Sequence, residues 1–342
     1  MNHLDQPLRT VTFNPRLPQR VLTRTIARPP RSLHYQKCGL FSYPNRVSLT
    51  LPSFAKVNLH LRVLGKRGDG YHDIFTIFQT ISLHDTVTFD AADELSLECE
   101  DPDVPTDGSN LILRAAVRLR ASFGISRGMR IRLEKRIPMG GGLGGGSSNA
   151  AVTLIGLSKL WGIDAQRPQL KLIAAELGSD VPFFLEGGTA AGSGRGTEIE
   201  PLPDFRAEYM LIVTPSVHVS TASAYAGLQA ESLTNVESNR ILRVCRSEAE
   251  SVDFVRLEAV NDFERSVFSE YPEVGRVKQT LIELGANRVM MSGSGASVFA
   301  IFDKEETRRA ALKALDNEVN WRKFAVAAVS RDEYRTRMFG KL

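Results

Sequence analysis

The chain has 342 residues, 42% hydrophobic and 24% charged, which suits a globular protein with enough apolar material for two cores. Its net charge of +4 is uneven: residues 1–49 hold seven arginines and one lysine against Asp5, a net of +7. The remainder, with 35 basic and 38 acidic side chains, sits at −3 and offers no basic footprint for nucleic acid. Three scattered cysteines (Cys38, Cys99 and Cys245) exclude a disulfide framework or metal finger and point to a reducing, cytoplasmic compartment. No apolar run approaches the roughly 20 residues of a membrane span.

In chain order, residues 1–46 are Arg-rich, nearly acid-free and broken by prolines. Such a segment reads as an organelle presequence, which would place the protein in a plastid, or as a disordered tail from a start assigned too far upstream. Sparse serine and the lack of a long amphipathic helix favour the tail.

Order is expected from Val47. In "VSLTLPSFAKVNLHLRVLGKR", Val57, Leu59, Leu61 and Val63 alternate with Lys56, Asn58, His60 and Arg62, which predicts a half-buried strand. "RGDGYH" is a turn, and "IFTIFQTISLHDTVTF" a second strand rich in β-branched and aromatic residues. Residues 110–124 have helical spacing ending on Gly124, and 128–138 alternate again. Helices are predicted from Ser147 to Gly162 and over 166–178, followed by an extended, glycine-punctuated stretch, 181–202. A Pro-rich break at 201–203 marks a domain boundary, giving an extension at 1–46 and domains at 47–203 and 204–342. Beyond it come a strand at "EYMLIVTP", helices near 222–230, 262–269 and 273–284, and strands near 288–302 and 323–330. The irregular alternation of strand and helix runs indicates an α+β fold.

Six of the seven residues from Gly140 to Gly146 are glycine. A linker would be longer and mixed with Ser or Pro, and a structural turn needs one or two glycines. A glycine loop between a strand and a helix start lets backbone N–H groups converge on an anion, so phosphate binding is the stronger reading. The loop comprises Pro138, Met139, Gly140, Gly141, Gly142, Leu143, Gly144, Gly145, Gly146, Ser147 and Ser148. It lacks the lysine of G-x-x-x-x-G-K-[ST], and a glycine run meets G-x-G-x-x-G trivially. No acidic residue ends a second strand where a dinucleotide ribose would need it.

"PMGGGLGGGSSNAA" resembles the phosphate loop of the GHMP kinases, the superfamily of galactokinase, homoserine kinase and mevalonate kinase. "PSFAKVNLHLRV" and "MSGSGASVFAIF" (291–302) agree with it. "AKVNLHL", "DGYH", "GSDVPFF" and "GRGTEIEPL" resemble the members whose alcohol substrate carries a cytidine diphosphate group, and the likeness spans residues 50–335. The resemblance implies an N-terminal domain of the ribosomal-protein-S5-like type and a smaller α/β C-terminal domain. It also implies transfer of the ATP γ-phosphoryl group, with Mg2+ arriving on the nucleotide, to a tertiary-carbon hydroxyl, with no nucleic-acid or membrane partner.

By the same resemblance Asp180 is the base that takes the hydroxyl proton, and Lys56 the lysine that keeps Asp180 ionised. Asn58 is assigned to the substrate, Tyr71 to stacking on the cytosine and His72 to hydrogen-bonding its edge. "PSVHVSTASAY" aligns Thr221 and Tyr225 with a threonine and a second stacking aromatic, a phenylalanine in the family. "GSGAS" (293–297) is expected to shape the substrate side and steady the loop. Without the likeness, Lys56 would read as a solvated strand lysine and Asp180 as a turn aspartate. The rival readings are another small-alcohol kinase of the superfamily and a non-catalytic RNA-binding protein of S5-like fold. The first has no need of a Tyr–His base pocket, and the mildly acidic body disfavours the second.

Overall fold

A computed structural model of the chain describes residues 48–163, 167–228 and 260–340. The 1–46 extension, Cys38, Cys245 and the end of the helix expected at 222–230 lie outside the described residues. The fold is built on two 19-residue strands, β1 (Ser48–Lys66) and β2 (His72–Asp90), paired antiparallel around the Arg67–Tyr71 turn. β1 lies along one edge of β2. The other edge is shared between β4 (Met129–Glu134), opposite Thr86–Asp90, and β5 (Thr189–Ser193), opposite Thr76–Gln79. β3 (Leu95–Cys99), which the sequence pattern did not reveal, runs parallel to β4, and β6 (Glu198–Pro201) closes the far side.

Helix α1 (Leu111–Phe123) connects β3 to β4 between an Asn110 cap and a left-handed Gly124. Helix α2 (Gly145–Trp161) starts two residues before the expected Ser147. Twelve of its 17 residues are buried, so it runs as a core helix under the sheet beside α3 (Arg167–Leu177). Part of the 181–202 stretch is not extended: Phe183–Leu185 form a 3-10 turn. Pro182 and the two buried phenylalanines turn it inward against Phe78.

After Pro201–Pro203 the chain builds a second, antiparallel sheet in the order β10-β7-β9-β8. Its strands are β7 (Met210–Pro215), β8 (Arg288–Met291), β9 (Val298–Ile301) and β10 (Trp321–Val326). Helices α4 (Thr221–Ala226), α5 (Glu264–Glu270), α6 (Pro272–Glu283), α7 (Glu305–Ala314) and α8 (Arg331–Phe339) accompany it. The last two are not evident in the hydrophobic pattern. Val57, Leu59 and Ile77 from the first sheet share a core with Met210, Ile212 and Phe299 from the second. Both faces of β1 are therefore covered. Lys56, Asn58 and His60 are 3%, 2% and 2% exposed, so the expected solvated face does not exist.

Helix α8 returns to the first core. Its Tyr334 is fully buried beside Phe54, and the hydroxyl donates to the Phe184 carbonyl within the 3-10 turn. Tyr334→Phe should cost about 1–3 kcal/mol, because the carbonyl is left buried without that donor. Urea unfolding at an unchanged m-value checks this. An unchanged midpoint would mean that the hydroxyl adds nothing.

Candidate active site

The chemistry-bearing residues are gathered by β1. The Lys56 ammonium lies 2.7 Å from Asn58 Oδ1, 2.8 Å from the Gly142 carbonyl oxygen and 3.3 Å from Asp180 Oδ2. Two hydrogen bonds and one ion pair thus join the ammonium to three separate segments. Asn58 is oriented in turn, since its Nδ2 donates to Thr76 Oγ1 at 2.7 Å and Thr76 donates to the His60 carbonyl. Its amide serves Lys56 and Thr76, a positioning task beside the substrate contact expected of it.

Asp180 sits in the turn between α3 and the 3-10 segment and keeps 30% of its side chain exposed to the cleft. Lys56 is the buried anchor and Asp180 the reachable carboxylate.

The glycine loop is clamped from both sides. On one, the Lys56 amide donates to the Leu143 carbonyl at 3.0 Å. On the other, Ser292 Oγ donates to the Gly142 carbonyl at 3.0 Å and the Ser297 amide to the Gly141 carbonyl at 3.1 Å. Asn261 Nδ2 holds the Ser292 segment through the Met291 and Gly293 carbonyls. The "GSGAS" stretch therefore lies directly against the loop. Gly142, at φ 73°, has no room for a side chain, since a Cβ there would lie 2.0 Å from the Ser292 carbonyl oxygen.

At its downstream end the loop becomes helix α2, whose N-cap, Gly144, supplies no side-chain acceptor. The first-turn amides of Gly145, Gly146 and Ser147 are left for an anion, as a nucleotide phosphate would require. Ser148 is not among them. Its amide donates to Gly144, and its buried hydroxyl accepts from Ser53 at 2.8 Å. Pro138 and Leu143 are buried, and Met139 is exposed.

A cleft of about 990 Å³ runs from Gly140, Gly142 and Gly144 past Lys56 and Asp180 to Tyr71, His72, Thr221 and Tyr225. At that far end the ring stacked on Tyr225 is His72, with centroids 4.5 Å apart and planes 16° from parallel. His72 therefore covers one face of the Tyr225 ring. Phe263 braces Tyr225 edge-on at 4.8 Å, and burial and the Asp180 carboxylate push the Tyr225 phenol up to about 12. Burial and the Lys66 charge hold His72 below the usual imidazole value. The neutral ring can then donate at one nitrogen and accept at the other.

Tyr71 is 51% exposed and carries the Arg195 guanidinium over its ring at 3.7 Å. Thr221 Oγ1 lies 3.1 Å from Ser294 Oγ. Arg195, Lys66 and Phe263 line the cleft and were not found by sequence reasoning. Only the quoted "GRGTEIEPL" stretch contains a signal for Arg195.

Family profiles described as "GHMP kinases N terminal domain" and "GHMP kinases C terminal" match residues 110–188 and 247–320. A 4-diphosphocytidyl-2-C-methyl-D-erythritol kinase of Solibacter usitatus is 42% identical over 292 residues, 83% of this chain and 90% of that protein. A kinase of the same name from Chlorobaculum parvum is 44% identical over 253 residues, 73% of this chain and 87% of that one. The crystal structure of a 4-(cytidine 5'-diphospho)-2C-methyl-D-erythritol kinase superposes with a TM-score of 0.66 at 32% identity, covering 82% of this chain and 99% of that chain. Homoserine kinase from Cytophaga hutchinsonii, at 20% identity and a TM-score of 0.63, shares the fold over 85% of this chain and 98% of its own.

Gly142→Ala should lower the melting temperature by several degrees and reduce turnover at least tenfold, since the loop must move off Ser292 and release Lys56. Thermal unfolding and a turnover assay check both. A variant with wild-type stability would show that the loop is not held as described.

Proposed function

Because the chain belongs to the GHMP kinases, and within them to the 4-diphosphocytidyl-2-C-methyl-D-erythritol kinases, we propose that Lys56, Asp180 and the glycine loop carry its phosphoryl transfer. The protein is an ATP-dependent kinase that phosphorylates the 2-hydroxyl of 4-(cytidine 5'-diphospho)-2-C-methyl-D-erythritol in the non-mevalonate isoprenoid pathway. ATP supplies the γ-phosphoryl group, and Mg2+ carried with it would offset the charge of its phosphates.

The observation that carries the residue assignment is the position of Lys56 Nζ, which touches both the glycine loop at Gly142 and the Asp180 carboxylate. The amides of Gly145, Gly146 and Ser147 hold phosphate oxygens next to that ammonium. Asp180 accepts the proton of the acceptor hydroxyl, with the Lys56 ammonium 3.3 Å away holding the carboxylate in place. At the other end of the cleft the exposed Tyr71 ring offers a stacking face for cytosine. His72, Thr221 and Tyr225 shape the pocket around the base, with the neutral imidazole available to its polar edge.

Asp180→Asn retains an oxygen for Lys56 but removes the base. Turnover should fall by about 10²–10⁴, while affinity for a non-hydrolysable ATP analogue stays within about twofold. Steady-state kinetics beside calorimetric titration test this. Turnover near wild type would remove Asp180 from the chemistry.

A further inference from the structure

Between β5 and β6 the chain turns through Gly194-Arg195-Gly196. The Ile74 amide donates to the Gly194 carbonyl at 2.8 Å, which ties the turn to β2 two residues beyond His72. A Cβ on Gly196, at φ 87°, would lie 3.1 Å from Ile74 and 3.9 Å from Ser179, the neighbour of Asp180. The turn therefore spans the interval between the Tyr71–His72 end of the cleft and the carboxylate.

From this turn Arg195 lays its guanidinium over Tyr71, Cζ 3.7 Å from the ring centroid. No ion pair or side-chain hydrogen bond of Arg195 occurs among the described residues, and its buried Nε has no partner. Asp69, whose charge it feels, is engaged by Arg67 and by the Tyr71 amide. Lys66 is a second cation lining the same part of the cleft.

A guanidinium centred 3.7 Å over a ring is braced on one side and leaves its terminal N–H groups for a fork of the kind that suits paired phosphate oxygens. Building on the functional reading above, we propose that Arg195 grips the pyrophosphate of the acceptor substrate, with Tyr71 serving at once as platform for the cytosine and backing for the arginine. The placement agrees with the order of groups in that substrate. The base leads at Tyr71, the methylerythritol unit ends at Asp180, and the pyrophosphate between them falls beside the β5–β6 turn. Arg195 is thus a specificity residue: it distinguishes a nucleoside diphosphate derivative from a bare nucleoside or an uncharged alcohol.

Calorimetric titration of the full chain with cytidine, CMP and CDP, for wild type, Arg195→Gln and Arg195→Lys, tests this. Removing a charge-assisted contact should weaken CDP binding by about tenfold or more in Arg195→Gln. Cytidine affinity should stay within about threefold, and Arg195→Lys, which keeps charge without the fork, should fall between. CDP affinity unchanged in Arg195→Gln, or equal losses for cytidine and CDP, would overturn the inference; equal losses would leave the arginine as support for Tyr71 alone. Wild-type protein that binds neither CDP nor cytidine would instead count against the functional reading itself.

Discussion

The site depends on one buried ammonium. A lysine that is 3% exposed would carry a desolvation cost of several kcal/mol if unpaired, so its surroundings must return that energy in contacts. Lys56 meets the requirement with hydrogen bonds to a side-chain amide on its own strand and to a loop carbonyl, and with an ion pair to a carboxylate. Each acceptor comes from a different part of the fold. Satisfying a single charge therefore fixes the distance between the glycine loop and Asp180. The carboxylate, with 30% of its side chain exposed, lines the cleft where a hydroxyl would arrive.

The glycine loop is rigid for a related reason. Its glycines permit close packing against the Ser292–Ser297 segment and the Lys56 side chain rather than free motion. Without a side chain at the N-cap of α2, the first amides of the helix remain unspent. Electrostatics differ at the two ends of the cleft: the loop end combines Lys56 with helix-terminal amides, whereas the base end keeps His72 neutral and Tyr225 as a phenol. A neutral, aromatic end joined to a charged end suits the proposed substrate, with a nucleobase at one end and a reacting alcohol at the other.

Much of this was legible in the sequence, and the gaps have physical causes. Glycine density marked out the loop from Gly140 to Gly146, which the fold sets against Lys56 and Ser292. The strand period of residues 56–63 was plain, but the idea that one face met water was wrong. Alternation cannot reveal that the glycine loop and the Asp180 turn cover the polar face, where Lys56 and Asn58 satisfy each other. Helices α7 and α8 were obscured by their charge. "EETRRAALKA" buries one residue, and "RDEYRTRMF" buries only Tyr334 and Met338. The stacking of His72 on Tyr225 and of Arg195 on Tyr71 joins residues more than 120 positions apart, a kind of contact that no local pattern encodes.

If Lys56 and Asp180 act as one device, their losses must not add. A double-mutant cycle on kcat/KM with Lys56→Ala, Asp180→Asn and the pair is the most direct measurement. The double variant should be no slower than the worse single variant by more than about threefold, because removing either member already disables the couple. Losses that multiply in full would show two independent contributions, and the ammonium would not be the link between loop and carboxylate.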